Sequence, residues 1–262
     1  MNEQTILFSV ENSVAKITLN RPKVLNSFNH TMSLALQEAL KNADEDKTVR
    51  ALYLTGEGHA FCAGQDLEEV LPQKGIETDL GAIVKSNYNT VIRKIRNIEK
   101  PVICAVNGVA AGAGANLAFA CDVTFAALSA TFIQSFGKLG LIPDSGGTFF
   151  LPRLVGMQRA TGLMFSGQRL LAERACDMGL IYAICQDEKL HEKALGFAQK
   201  LATLPTKGFG LTKRGLNQSL FNNLDDQLDF EEDLQRQAGR TQDYNEGVNA
   251  FIEKRKPVFT GE

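Results

Sequence analysis

Val102-Ile-Cys-Ala-Val is five apolar residues in a row, set between Pro101 and Asn107-Gly108. The run is too short for a helix. It also lacks the polar alternation of a strand with one wet face, so it reads as a strand buried on both sides. Such strands occur where helices cover both faces of a sheet, which points to an α/β chain. Val49-Arg-Ala-Leu-Tyr-Leu-Thr and Val123-Thr-Phe-Ala have the same character. Helical spacings lie between them. One starts at Thr31 and carries Met32, Leu34, Leu36, Ala39 and Leu40. A second runs from Leu80 to Ile98 and stops before Pro101, because proline disfavours helical geometry in the residue ahead of it. A third, of small residues, covers Gly112 to Ala120, and a fourth leads from Pro143 towards Pro152. Ile6–Val10 and Val14–Leu19 alternate around Glu11-Asn-Ser and predict an opening hairpin. Strand and helix alternate in this way to about residue 185, so the expected fold is α/β with largely buried, partly parallel strands.

Beyond Glu188 almost every pattern is helical, with breaks expected at Leu204-Pro205 and Gly208–Gly210. The predicted division is a core over residues 1–200 and a helical C-terminal region over 201–262. Phe209, Leu211, Leu216, Leu220, Phe221, Leu224 and Leu228 give that region more apolar surface than one exposed hairpin should carry. It therefore either folds back on the core or packs against another subunit.

The 262 residues are 44% hydrophobic and 22% charged, with a formal net charge of -2, a balance that suggests neither nucleic acid nor an anionic membrane as partner. The first residues show no basic stretch followed by an apolar run, and no segment has the apolar length of a membrane span. A cytoplasmic protein is the default expectation. Cys62, Cys104, Cys121, Cys176 and Cys185 are odd in number and form no CxxC pair, so they are read as reduced, small apolar residues. His30, His59 and His191 are scattered, which disfavours a zinc site. Gly112-Ala-Gly114 would need a third glycine at Leu117 to be a dinucleotide fingerprint. Pro143-Asp-Ser145-Gly-Gly147 resembles a nucleophile elbow, but Pro143 stands in place of its first glycine and no histidine partner is evident.

Two segments remain. Phe61-Cys-Ala-Gly64-Gln65-Asp66-Leu67 follows a strand and a Gly-rich turn. Val106-Asn-Gly108-Val-Ala-Ala-Gly112-Ala113-Gly114 follows another strand and opens a helix. Small residues let a backbone approach a ligand, and a helix start adds unpaired amides. Facing one cavity, two such segments could form an oxyanion hole. Taken singly, each glycine also suits a tight turn or close helix–strand packing.

These segments, with Asn20-Arg-Pro, Pro101-Val-Ile-Cys-Ala-Val-Asn-Gly, Leu141-Ile-Pro-Asp-Ser-Gly-Gly-Thr and Ala250-Phe-Ile-Glu-Lys-Arg-Lys-Pro, resemble the enoyl-CoA hydratase/isomerase (crotonase) superfamily along nearly the whole chain. The resemblance implies a spiral of ββα units followed by a helical trimerisation region, assembly as a homotrimer or a hexamer of two trimers, and an acyl-CoA thioester substrate. No further cofactor is implied, since the coenzyme A belongs to the substrate. It places the oxyanion amides at Gln65 and Ala113 and brings the Ala63–Leu67 backbone, including Asp66, to the CoA adenine. It also assigns CoA contacts to Lys23 and, in a neighbouring subunit, to Phe251 and Lys254.

The two glutamates that hydratases of this family use fall at Asn116 and Phe136, which cannot act as general acid or base. Both positions are then read as lining the acyl site. Asp144 remains. Alone, an aspartate ahead of a helix is an ordinary N-cap. Its position matches the catalytic aspartate of dienoyl-CoA isomerases and of a chlorobenzoyl-CoA dehalogenase. The dehalogenase's histidine has no counterpart in Asn87-Tyr-Asn-Thr, and the second carboxylate of dienoyl isomerases is missing. The segments Ala105-Val-Asn-Gly-Val-Ala-Ala-Gly-Ala-Gly-Ala, Lys138-Leu-Gly-Leu-Ile-Pro-Asp and Tyr244-Asn-Glu-Gly-Val-Asn-Ala-Phe resemble the ring-1,2-epoxyphenylacetyl-CoA isomerases of bacterial phenylacetate degradation, and the resemblance implies formation of oxepin-CoA. The expected mechanism holds the thioester carbonyl between the Gln65 and Ala113 amides while Asp144 moves the proton. Its carboxyl pKa is expected to rise through burial among Phe136, Leu139 and Ile142. The alternatives are a general enoyl- or dienoyl-CoA isomerase of fatty acid oxidation and a non-catalytic acyl-CoA-binding protein.

Overall fold

The computed structural model describes residues 4–71 and 78–262. The first three residues, part of the reading that no leader is present, lie outside the described residues. The expected hairpin is β1 (Ile6–Glu11) paired antiparallel with β2 (Val14–Leu19). From β2 the sheet continues in parallel through β3 (Ala51–Gly56), β5 (Val102–Val106), β7 (Val123–Ala127) and β10 (Ala183–Cys185), in the order β1-β2-β3-β5-β7-β10. All five residues of β5 and all six of β3 are buried, which explains their unbroken apolar runs.

A second sheet has no counterpart in the strands predicted above. It joins β4 (Ala60–Cys62), β6 (Val109–Ala111), β8 (Thr131–Ile133) and β9 (Arg169–Leu171). Each is only three residues long, too short for a period-two pattern to emerge.

The helix predicted from Thr31 begins one residue earlier. It is α1 (His30–Glu45), capped by the Asn29 side chain accepting from Met32 N at 2.9 Å. The Leu80–Ile98 helix comprises α2 (Leu80–Ile83), a π-helical stretch Val84–Asn89 and α3 (Thr90–Asn97). The small-residue helix α4 (Ala113–Ala120) is buried at all eight positions and packs against β4, β6, α3 and the next helix in the chain, with Leu117 and Phe119 as its two large apolar side chains. After it come α5 (Gly147–Val155), α6 (Met157–Ser166) and α7 (Ala172–Asp177). The segment expected to lead from Pro143 towards Pro152 is α5, which begins at Gly147 and runs past Pro152 to Val155.

In α8 (Leu190–Ala202), Leu190, Ala194, Ala198 and Ala202 form a buried stripe at fourfold spacing. In α9 (Thr206–Ser219), Gly208 and Gly210 lie within the helix rather than breaking it. A side chain at Gly210 would strike Glu99, so the glycine serves close packing. Lys213 Nζ donates to Ile95 O and Asp122 Oδ2, each at 2.7 Å, and fastens α9 to the core. The chain ends with α10 (Leu224–Ala238) and α11 (Gln242–Ile252). Leu211 is buried, whereas Leu216, Phe221, Leu224 and Leu228 are exposed in the single chain. No helix among the described residues is long and apolar enough to cross a membrane.

Candidate active site

The parallel strands β3 and β5 deliver the chain into two neighbouring loops. After β3, the chain turns through β4 into Ala63–Leu67. After β5, it turns through β6 into Gly112–Ala113. A Cβ placed on Gly64, where φ is +95°, would stand 2.9 Å from Ala111 O and 3.7 Å from Ala113 N. A side chain on Gly114 would run into Cys62. The two segments are therefore in contact, and small residues are required where they touch.

The amides of the first loop are used selectively. Ala63 N donates to Leu25 O at 3.0 Å, Asp66 N donates to Phe28 O at 2.9 Å, and Gly64 O accepts from Phe28 N at 2.6 Å. Between them, the Gln65 N–H has no partner among the described residues. On the second loop Gly112 N donates to Ile133 O at 2.8 Å. The Ala113 N–H is the first of α4 and belongs to the set that has no intrahelical acceptor. Among the described residues the site thus holds two donors without an acceptor on adjoining loops, one at the positive end of a helix.

The loops are fixed from outside by Asn20–Phe28. Arg21 Nη1 pairs with Asp66 Oδ2 at 2.7 Å and donates to Ser27 O at 2.6 Å. The fully buried Asn26 accepts from Arg21 N at 2.8 Å and donates to Ala60 O at 2.8 Å. Asp66 Oδ1 also caps Glu68 N, and Asp66 O accepts from Gln65 Nε2. The Asp66 amide and carboxylate are thus engaged within the loop, while its carbonyl accepts only from Gln65 and keeps one lone pair.

Asp144 is half-buried and makes no ion pair among the described residues. The helix after it, α5, begins at Gly147 behind Gly146 and has no side-chain cap, so the Asp144 carboxylate is not an N-cap. Its Oδ1 accepts from Ser145 Oγ at 2.8 Å. Burial raises the carboxyl pKa and the Ser145 bond opposes the rise. The rise was expected from Phe136, Leu139 and Ile142, but Leu139 is 59% and Ile142 81% exposed. Of the three, only Phe136 is buried, its ring beside Gly112.

Asn116 was expected to line the acyl site. It is instead completely buried, with Nδ2 donating to Asp144 O at 2.9 Å and Oδ1 accepting from Gln134 Nε2 at 2.9 Å. An amide tied at both ends and shut off from solvent is not a ligand contact.

Tyr88 was missed. It sits on the π-helical stretch, buried, with its ring 5.3 Å from that of Phe28 and its hydroxyl donating to Gln65 Oε1 at 2.6 Å. Burial first, and then Cys62 and the carboxylates of Asp144, Glu69 and Asp66, push its ionisation far up, so it stays a neutral donor. Its segment, Asn87-Tyr-Asn-Thr, carries no spacing that marks a site. Ser145, noticed only within the rejected nucleophile elbow, has no histidine partner among the described residues: His30 bonds Asn87 and His191 bonds Tyr53.

Leu67 is exposed, and so is Lys23 on the turn Pro22–Val24. Phe251 is 85% exposed at the end of α11, and Lys254 follows it with φ +56°. No hydrogen bond or ion pair among the described residues ties either one to the loops within one chain.

The chain matches the family Enoyl-CoA hydratase/isomerase over residues 9–262. It is 52% identical over 257 residues to the 1,2-epoxyphenylacetyl-CoA isomerase of Escherichia coli strain K12, covering 98% of each chain. It is 36% identical to the trans-2-decenoyl-[acyl-carrier-protein] isomerase of Streptococcus mutans, with complete coverage of both. The crystal structure of an enoyl-CoA hydratase from Bacillus anthracis superposes with a TM-score of 0.92 at 34% identity, over 98% of this chain and 100% of that one. The paired small-residue loops, the α/β core and the helical C-terminal region thus sit in a chain that belongs to the enoyl-CoA hydratase/isomerase (crotonase) superfamily of enzymes.

Proposed function

We propose that the chain is an acyl-CoA isomerase and that it converts ring-1,2-epoxyphenylacetyl-CoA to oxepin-CoA. The observation that carries this reading is Asp144, a half-buried carboxylate free of any capping role; by the family resemblance the hydratase glutamates fall at Asn116 and Phe136. Water cannot be activated by an amide and a phenyl ring, whereas one carboxylate suffices to take a proton and return it elsewhere. In the proposed reaction the thioester oxygen lies between the Gln65 and Ala113 amides, which stabilise the charge of the enolate by about 3–4 kcal/mol per donor. Opening the bond between the two epoxide carbons converts the six-membered ring to the seven-membered oxepin with no atom gained or lost; Asp144 takes a proton from a carbon conjugated to the thioester and returns it to another, and burial, by raising its pKa, makes it the stronger base for the first half. The buried Phe136 ring offers an aromatic wall. The Escherichia coli relative supports the aromatic substrate.

A panel of pure CoA thioesters tests this: the phenylacetyl ring epoxide, medium-chain 3-enoyl esters, and crotonyl-CoA for hydration. Preference for the epoxide supports the reading, and rapid hydration of crotonyl-CoA with no isomerisation defeats it. A second reading, a general double-bond isomerase of straight acyl chains, is favoured by the Streptococcus mutans relative and would appear as medium-chain preference. Turnover of any ester excludes a purely binding protein.

We further propose a trimer or a dimer of trimers, built on the exposed Leu216, Phe221, Leu224 and Leu228. Phe251 and Lys254 of a neighbouring copy would then complete the CoA site beside Lys23. Sedimentation of the intact chain decides the assembly.

A further inference from the structure

We propose that Asn116 and Gln134 form a positioning clamp that holds the Asp144 carboxylate in its working orientation. The inference rests on the reading of Asp144 as the proton-transferring group.

The turn that carries Asp144 is strained. Ser145 has φ +50° and Gly146 has φ +77°, two successive residues in left-handed geometry, and the first has a side chain. Such a conformation costs about 1–3 kcal/mol and persists only when its surroundings over-determine it. Here the determinant is the Asp144 carbonyl. It accepts from Gly147 N at 2.8 Å and from Asn116 Nδ2 at 2.9 Å, which engages both lone pairs.

The direction of the clamp is fixed chemically. A carbonyl can only accept, so the atom of Asn116 facing it must be the NH2 group. Asn116 Oδ1 then faces Gln134, which must present its own NH2 at 2.9 Å. Gln134 is 4% exposed, and its Oε1 has no partner. The cavity beside it is about 10 Å³ and lined mainly by Phe119, Phe132, Leu151 and Leu163, room for at most one water. Gln134 therefore contacts no substrate and acts only through Asn116. The fit at the other end is equally close, since a side chain on Gly147 would strike the Asn116 amide. A carboxylate at position 116 could not replace this amide, because it would set negative charge against the Asp144 carbonyl.

The test compares Asp144→Asn, Asn116→Ser and Gln134→Met with the wild-type enzyme on its best thioester, recording kcat, KM and Tm. Asn116→Ser shortens the side chain, so that its hydroxyl no longer reaches the Asp144 carbonyl, without adding charge. Gln134→Met keeps the volume and breaks the outer bond two residues removed from Asp144. We expect kcat to fall about 100-fold in Asn116→Ser, as for a misplacement of about 1 Å. We expect a loss of about threefold to tenfold in Gln134→Met, with KM changed less than twofold in both. Wild-type kcat in both variants, with only Tm lowered, overturns the clamp while leaving the role of Asp144 intact if Asp144→Asn is inactive. Wild-type kcat in Asp144→Asn overturns the catalytic reading and the clamp with it. Should Asn116→Ser not fold, unchanged kcat in Gln134→Met is sufficient to refute it.

Discussion

Replacing Gly64 with alanine probes the contact between the two loops. The residue has φ +95°, which an L side chain rarely adopts, at a cost of about 1–3 kcal/mol. The new Cβ would also stand 2.9 Å from Ala111 O, a backbone atom that cannot swing aside. Crowding of this kind adds about 1–3 kcal/mol. A total near 4 kcal/mol corresponds to a fall of roughly 10 °C in Tm for a chain this long. The strain is relieved by moving the loops apart, which displaces the Gln65 amide from that of Ala113. Loss of one oxyanion donor lowers kcat by about 100- to 1000-fold. Gly179→Ala is the matched control: φ is +77° there, but the nearest atom is at 3.9 Å. It should lose about 1–2 kcal/mol from backbone strain alone and keep full turnover. Thermal unfolding and steady-state assays of both variants check this. Equal Tm losses with kcat unchanged in Gly64→Ala would refute the argument that contact at Gly64 sets the amide pair.

Three further outcomes follow from the same contacts. Burial raises the folded pKa of Asp144, so its ionisation costs the folded chain, a cost absent below the unfolded pKa of about 3.9 and complete above the folded value. Asp144→Asn should therefore unfold at a Tm no lower than wild type near neutral pH, with any advantage vanishing in acid, as scanning calorimetry across pH would record. Ser145→Ala removes the hydrogen bond that holds this pKa down, so the acid limb of the kcat/KM profile should move to higher pH; a limb that moves down or stays contradicts it. Arg21→Met leaves the nearly buried Asp66 carboxylate unpaired and should cost about 2–4 kcal/mol in chemical denaturation, with Arg21→Lys recovering only part because the Ser27 carbonyl also depends on the guanidinium.

What was legible in the sequence had a local signal. The runs at β3 and β5 are apolar because both strand faces are covered, and that pattern reads directly. The breaks assigned to Gly208–Gly210 misread a packing signal as a conformational one, since a lone glycine looks the same whether it ends a helix or admits Glu99. The strands β4, β6, β8 and β9 are held by pairing across the fold, which three residues cannot announce. At the site, Gly64, Ala113 and Asp144 stood out by pattern. Asn116 was read as lining the acyl site and Tyr88 was not read as a site residue, because the bonds they make run to Asp144, 28 residues away, and to Gln65, 23 residues away. Nearness in the chain misled in the opposite way: Leu139 and Ile142 lie close to Asp144 in sequence but are exposed, so they do not bury it.

The account centres on one carboxylate moving a proton beneath two backbone amides. Turnover of the preferred CoA thioester by Asp144→Asn, under saturating conditions and with folding verified, addresses it most directly. The expected result is a kcat at least about 100-fold below wild type with substrate affinity retained, the range that a positioned general base supplies. A kcat within a factor of two of wild type would contradict the mechanism.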